Sequence, residues 1–278
     1  MKTARFWVTA QDEGWLCYGW SDRSEGEART MAQQRLRRLM ARAKNGTADK
    51  YDYHASHDGT LREPLLRSFA DADAPPYALI TRNRMGCLVL NTDDVVFVDV
   101  DVPPPPTPGL WARLRGQKSA TQADAEAAYL TILRTWTQNH RAGMRVYRTA
   151  GGLRYLLTTA RLAPTAPATQ ELLATLRADP QYQALCQRQN CFRARLTPKP
   201  WRCGLHALNQ KFPVPEAFRT QIAANEARWQ AEYDLCAARY RTCELLETIG
   251  PDTRDERIAA IIALHDELTG IDCNLPLA

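Results

Sequence analysis

The stretch "TDDVVFVDVDVPPPPTPG", residues 92–109, decides how this chain is read. A Val- and Phe-rich run with strand propensity carries two aspartates, Asp99 and Asp101, and then stops at four prolines. Residues i and i+2 of a strand point to one face, so these carboxylates are neighbours with Cα atoms roughly 7 Å apart. Like charges beside Val95, Val96, Phe97, Val98 and Val100 are costly unless something positive compensates them. A divalent ion, Mg²⁺ or Mn²⁺, does so while sharing its shell with substrate phosphates, the arrangement of metal-assisted phosphoryl and nucleotidyl transfer. The alternative is a strand end whose acids cap a turn or pair with arginines. The prolines force the chain out of the sheet just past Asp101 and leave that strand end open.

The surrounding composition is that of an ordinary folded domain: 278 residues, 45% hydrophobic and 24% charged. The formal charge of +5 is small, but its distribution is uneven. Between Ala127 and Gln170 there is no acid, against Arg134, Arg141, Arg145, Arg148, Arg154 and Arg161. Between Gln181 and Pro215 there is again none, against Arg188, Arg193, Arg195, Lys199, Arg202 and Lys211. If these segments meet in the fold they build a phosphate-binding surface; otherwise they are a solvated arginine-rich face. No run approaches the roughly 18 apolar residues of a membrane span and the N-terminus lacks a signal-peptide core, so a cytoplasmic protein without a membrane partner is expected. There, the eight cysteines are expected as free thiols or metal ligands rather than disulfides.

Residues 1–72 are expected as a β-β-α module: strands in "RFWVTA" and "WLCYGW", then a helix opened by a Ser24/Glu27 capping box. His54 and His57 are expected on a surface loop. Residues 73–214 form the α+β core, with strands in "YALITRN", "CLVLN" and "VVFVDVDV", a helix over 123–138, two strands around Gly151-Gly152, a helix over 167–178 and a strand in "CFRARL". A glycine pair beside a strand permits close approach either of another strand or of a ligand phosphate. Residues 215–278 are expected to be a helical layer. One helix runs from Pro215 to about Ile249 on the stripe of Phe218, Ile222, Trp229, Tyr233, Cys236, Tyr240 and Cys243, and a second from Asp255 to Leu268.

Two further clusters carry chemistry. In "FRARLTPKPWR", residues 192–202, Arg193, Arg195, Lys199 and Arg202 alternate with Phe192, Pro198, Pro200 and Trp201. This mixture suits a nucleic-acid backbone with Trp201 stacking on a base, unless Trp201 packs into the core. Cys186, Cys191, Cys203 and His206 have spacings compatible with a tetrahedral structural Zn²⁺, or else are buried small hydrophobes and a surface histidine. Phosphate loops of the P-loop type, nucleophile elbows and dinucleotide fingerprints are absent from the sequence.

The hydrophobic-Asp-hydrophobic-Asp strand, followed by a helix-containing stretch, a strand, a small-residue turn and another strand, resembles the core of the archaeo-eukaryotic primase (primase-polymerase) superfamily. The resemblance covers roughly residues 77–200. It implies an α+β fold with a mixed or antiparallel RRM-like sheet, flanking helices and a C-terminal helical layer. It also implies metal-binding by Asp99 and Asp101, and contact with the triphosphate by "RTAGGLRYLL", residues 148–157, through Arg148, Thr149, Gly151 and Gly152. Arg154 stands where that family has a histidine and is expected to grip the triphosphate in its place; the family's third motif, a later acidic residue, has no clear counterpart, and Asp93, Asp94 and Asp179 are the nearest carboxylates.

The expected function is a metal-dependent nucleotidyltransferase acting in replication on nucleoside triphosphates and a DNA or RNA template, with a protein partner met by the C-terminal helices. The missing third carboxylate favours an alternative, a catalytically inactive primase-like nucleic-acid-binding protein. A nucleotide-sugar glycosyltransferase, which also uses two aspartates one residue apart to hold Mn²⁺ and a diphosphate, is a third.

Overall fold

The aromatic runs near the N-terminus fold as strands because each is short, β-prone and bounded by a tight turn. In the computed structural model, which describes residues 1–47, 59–72, 74–105 and 121–278, β1 (Phe6–Asp12) and β2 (Trp15–Ser21) pair antiparallel, with Asp12 opposite Trp15. His54 and His57 lie outside the described residues. Helix α1 (Glu25–Lys44) starts at Ser24, whose hydroxyl accepts from the Glu27 N–H at 3.2 Å. The other half of the expected capping box does not form: the Glu27 carboxylate instead accepts from the Ser21 hydroxyl at 2.7 Å. Ala28, Ala32, Leu36 and Leu39 are the buried face of α1. The helix comes so near β2 that a Cβ on Gly19 would meet the Ala28 carbonyl oxygen at 2.0 Å, which is why the apolar strand is interrupted by glycine there.

The chain divides into two units, residues 1–88 with 199–236 and residues 89–198 with 237–278. This division cuts across the expected boundaries at 72 and 214, because contacts between segments remote in sequence define each unit. The first unit also holds the antiparallel pair β3 (Leu65–Phe69) and β4 (Ala78–Arg82), and α5 (Arg219–Ala237).

The second unit carries the "VVFVDVDV" strand, β6 (Val95–Asp101), and pairs β5 (Leu88–Thr92) with β9 (Phe192–Arg195). Its larger sheet is antiparallel, in the order β10-β7-β8-β6, with β7 (Met144–Thr149), β8 (Gly152–Arg161) and β10 (Cys243–Ile249). Its helices are α2 (Gln122–His140), α3 (Pro167–Thr175), α4 (Pro180–Gln189) and α6 (Glu256–Thr269). The start of α2 is a reciprocal capping box between Thr121 and Asp124, and Asp255 caps α6 through the Arg257 and Ile258 N–H groups.

One expected element is corrected. The helix foreseen from Pro215 to Ile249 ends at Ala237, and Cys243–Ile249 is strand β10, paired with β7. The apolar stripe ran across a boundary that periodicity alone did not mark; pairing with the β7 edge satisfies the backbone of this segment. The chain is thus mixed α+β, with antiparallel sheets and six α-helices among the described residues. All eight cysteines are free thiols. No helix among the described residues is long and apolar enough to cross a membrane.

Candidate functional site

Pairing of β6 with β8 puts Asp99 directly opposite Arg154. The guanidinium takes the carboxylate as a fork: Nε donates to Oδ1 at 2.7 Å and Nη2 to Oδ2 at 3.2 Å. Its remaining nitrogen, Nη1, donates to the Arg195 carbonyl at 2.9 Å and lies 3.3 Å from His265 Nε2 and 3.6 Å from Cys243 Sγ. The Arg154 side chain is 1% exposed, whereas that of Asp99 is 32% exposed. Burial opposes the guanidinium charge, but Asp99 and the other surrounding groups outweigh it and raise the Arg154 pKa. The aspartate on the apolar strand is therefore the counter-charge of a buried arginine. Arg154 does not reach out to a phosphate as the resemblance implied, because its N–H groups are directed inward.

Around this pair lies a polar network that the sequence did not announce. On α6, His265 Nδ1 is 2.9 Å from Asp266 Oδ1, and the same carboxylate accepts from Tyr147 Oη at 2.8 Å and from Arg145 Nη2 at 2.6 Å. Burial lowers the His265 pKa. A neutral ring with its proton on Nδ1 leaves Nε2 to accept from Arg154. Cys243 Sγ stands 3.9 Å from His265 Nε2, so Cys243, His265 and Asp266 superficially form a nucleophile, base and orienting acid. Cys243 and His265 have no exposed surface, and burial pushes the thiol up to about 11. The trio lies inside the fold, where the contact between Cys243 and His265 ties β10 to α6. No local motif could have revealed it, since 22 residues separate Cys243 on β10 from His265 on α6.

The glycine pair is resolved in favour of strand approach. A Cβ on Gly152 would meet the Val100 carbonyl at 2.2 Å and the Val102 nitrogen at 2.6 Å, and the Gly151 carbonyl accepts from the Val102 N–H at 3.2 Å. The Thr149 hydroxyl is likewise turned to its own hairpin, donating to the Gly152 carbonyl at 3.3 Å. Arg148 is held by Glu126 at 2.8 Å and Glu244 at 3.0 Å, which raises its pKa.

The same holds for most of the acid-free segment: Arg134 pairs with Glu247, Arg145 with Asp266, and Arg161 with both Asp94 and Asp255. Arg141 is exposed, capping α2 in a left-handed conformation. Acids from elsewhere in the chain thus cancel a positive stretch that looked one-sided in sequence.

Asp101 is exposed and sits across from Gly152, which offers it no side chain. Among the described residues no third carboxylate joins the pair. Asp179 caps α4 through the Tyr182 N–H at 2.7 Å, and Asp94 binds Arg161 and Arg257. Burial and the adjacent Asp94 raise the Asp93 pKa. Among the described residues no three His, Cys, Asp or Glu side chains are placed to hold a metal ion. Cys186, Cys191, Cys203 and His206, foreseen from spacing as a zinc set, belong to no such group; Cys186 and Cys191 are buried, and burial pushes the Cys186 thiol up to about 12.

The basic stretch 192–202 is divided as well. Arg193, in the second unit, is buried and donates to Gln189 Oε1 at 2.7 Å, and the carbonyl of Arg195 receives Arg154. Lys199, Trp201 and Arg202 lie in the first unit, around the short 3₁₀ turn Pro200–Cys203. Trp201 is 51% exposed, and Lys199 Nζ lies 5.4 Å from its ring centroid. No protein-family model, curated protein or solved structure matches the chain.

Proposed function

We propose that this protein binds nucleic acid and carries a primase-like core that does not itself run nucleotidyl transfer. The observation that carries the reading is the fork of Arg154 on Asp99. A carboxylate whose two oxygens already hold a buried guanidinium is an anchor of the fold, and Asp101 alone is a poor seat for a catalytic ion. The run β6-α2-β7-β8, with β8 between β6 and β7, supports the primase-like assignment. Nucleic-acid contact is supported by Trp201, whose exposed ring beside Lys199 suits base stacking with phosphate attraction.

The metal-dependent primase-polymerase reading keeps one observation in its favour: Asp101 is exposed and Asp99 partly so, two residues apart on one strand. One pair of assays separates the two. A labelled single-stranded oligonucleotide should bind, with affinity falling linearly in log salt. No template-directed product should form from nucleoside triphosphates with Mg²⁺ or Mn²⁺. Product formation that disappears in Asp101→Asn, an exposed position that leaves the Arg154 pair intact, would falsify the non-catalytic reading.

A further inference from the structure

The first unit contains a cavity of about 410 Å³, within the size range of small-molecule sites. Arg62, Arg82, Arg84 and Lys211 line it, and among the described lining residues Glu226 is the one carboxylate. Two of these cations are held in place by backbone oxygens. Arg62 Nη2 donates to the Phe212 carbonyl at 3.2 Å, and its guanidinium stacks 4.1 Å from the Tyr18 ring centroid. Arg82 Nη1 donates to the Gly86 carbonyl at 2.9 Å. Arg84 and Lys211 are exposed. Burial lowers the Arg62 pKa, as expected of a cation partly withdrawn from water. Leu208, Phe212 and Val214 supply an apolar wall to the same cavity.

We infer that this cavity is a binding site for a nucleoside di- or triphosphate. An excess of three positive charges over negative ones suits a polyphosphate, whose charge near neutral pH is of that size and opposite sign. Guanidinium forks match phosphate oxygens two at a time, and Lys211 adds a mobile point charge. The apolar wall gives the base and ribose a surface that an inorganic polyphosphate does not use. The assignment does not depend on the core being primase-like, and all the residues that line the cavity lie in the first unit.

Calorimetric titration of the full chain with ADP, ATP and inorganic tripolyphosphate, in the presence of EDTA, tests it. ADP and ATP should bind, ATP more tightly than tripolyphosphate, and added salt should weaken both. The double variant Arg84→Ala/Lys211→Ala, at exposed positions, should lose about tenfold or more in affinity with an unchanged melting temperature. Arg84→Lys should restore part of the loss to a single Arg84→Ala variant, and Asp101→Asn should leave ADP affinity as it is. Absence of binding by all three ligands at millimolar concentration, or undiminished affinity in the double variant, would overturn the site. Equal affinity for ATP and tripolyphosphate would overturn its nucleoside part.

Discussion

The two units treat positive charge in opposite ways. In the second, Arg134, Arg145, Arg148, Arg154 and Arg161 each end on a carboxylate contributed by a distant part of the chain. In the first, four cationic side chains line one cavity, and among the described lining residues Glu226 is the one carboxylate. The second unit is where the sequence is most one-sidedly basic, yet these five arginines are paired within it. The cations of the first unit come from residues 62–84 and from 211, positions that no charge run connects. A charge window in sequence therefore predicts a charged surface only when no acid is folded onto it.

The contrast can be tested by breaking the pairs. The largest effect is expected at Asp99→Asn, which strands the buried Arg154 guanidinium without its counter-charge. It should cost about 3–5 kcal/mol in urea unfolding. Arg154→Met should cost less, because Asp99, 32% exposed, can turn to water. Equal losses in the two variants would mean that the burial asymmetry does not govern the pair.

Next in size is Gly152→Ala, whose Cβ would collide with the Val100 carbonyl. About 2–3 kcal/mol should be lost by the same measurement, and a neutral result would show that β6 and β8 separate easily there.

A pH effect should follow from His265. Burial lowers its pKa from the ordinary 6.5, so the unfolded chain binds the proton more readily than the folded one. That contribution to stability is complete above about pH 6.5 and is lost as pH falls towards the depressed folded value. Melting temperatures from about pH 8 down to about pH 5 should therefore decline, and His265→Gln should flatten the decline. Thiol labelling gives a sharper local comparison: at about pH 8 the exposed Cys273 should react with iodoacetamide while Cys243, buried and pushed up to about 11, should not. The smallest change in stability is expected for Trp201→Ala, within about 0.5 kcal/mol because the side chain is half exposed, although oligonucleotide binding should weaken by about 1–3 kcal/mol.

Local patterns carried much of the fold. The hairpin of β1 and β2, the N-cap of α1 at Ser24, the extent of α2 and the exit of β6 at the prolines all follow from propensity, capping chemistry and proline's missing N–H. Where a segment's state depended on a neighbour, pattern failed. The β10 segment has an apolar spacing that suited the preceding helix, and it became a strand by meeting β7. The candidate site divides in the same manner. That Asp99 and Asp101 share one face, and that a glycine pair marks a close approach, could be read directly, because both are consequences of strand geometry. That Asp99 meets Arg154 across the sheet, that Gly152 lies close against β6, and that His265 completes the pair's surroundings from 111 residues beyond Arg154 were decided only by tertiary packing. The reason is physical: the partner of a buried charge is whichever group the fold brings within hydrogen-bonding distance, and distance along the chain places no limit on that choice.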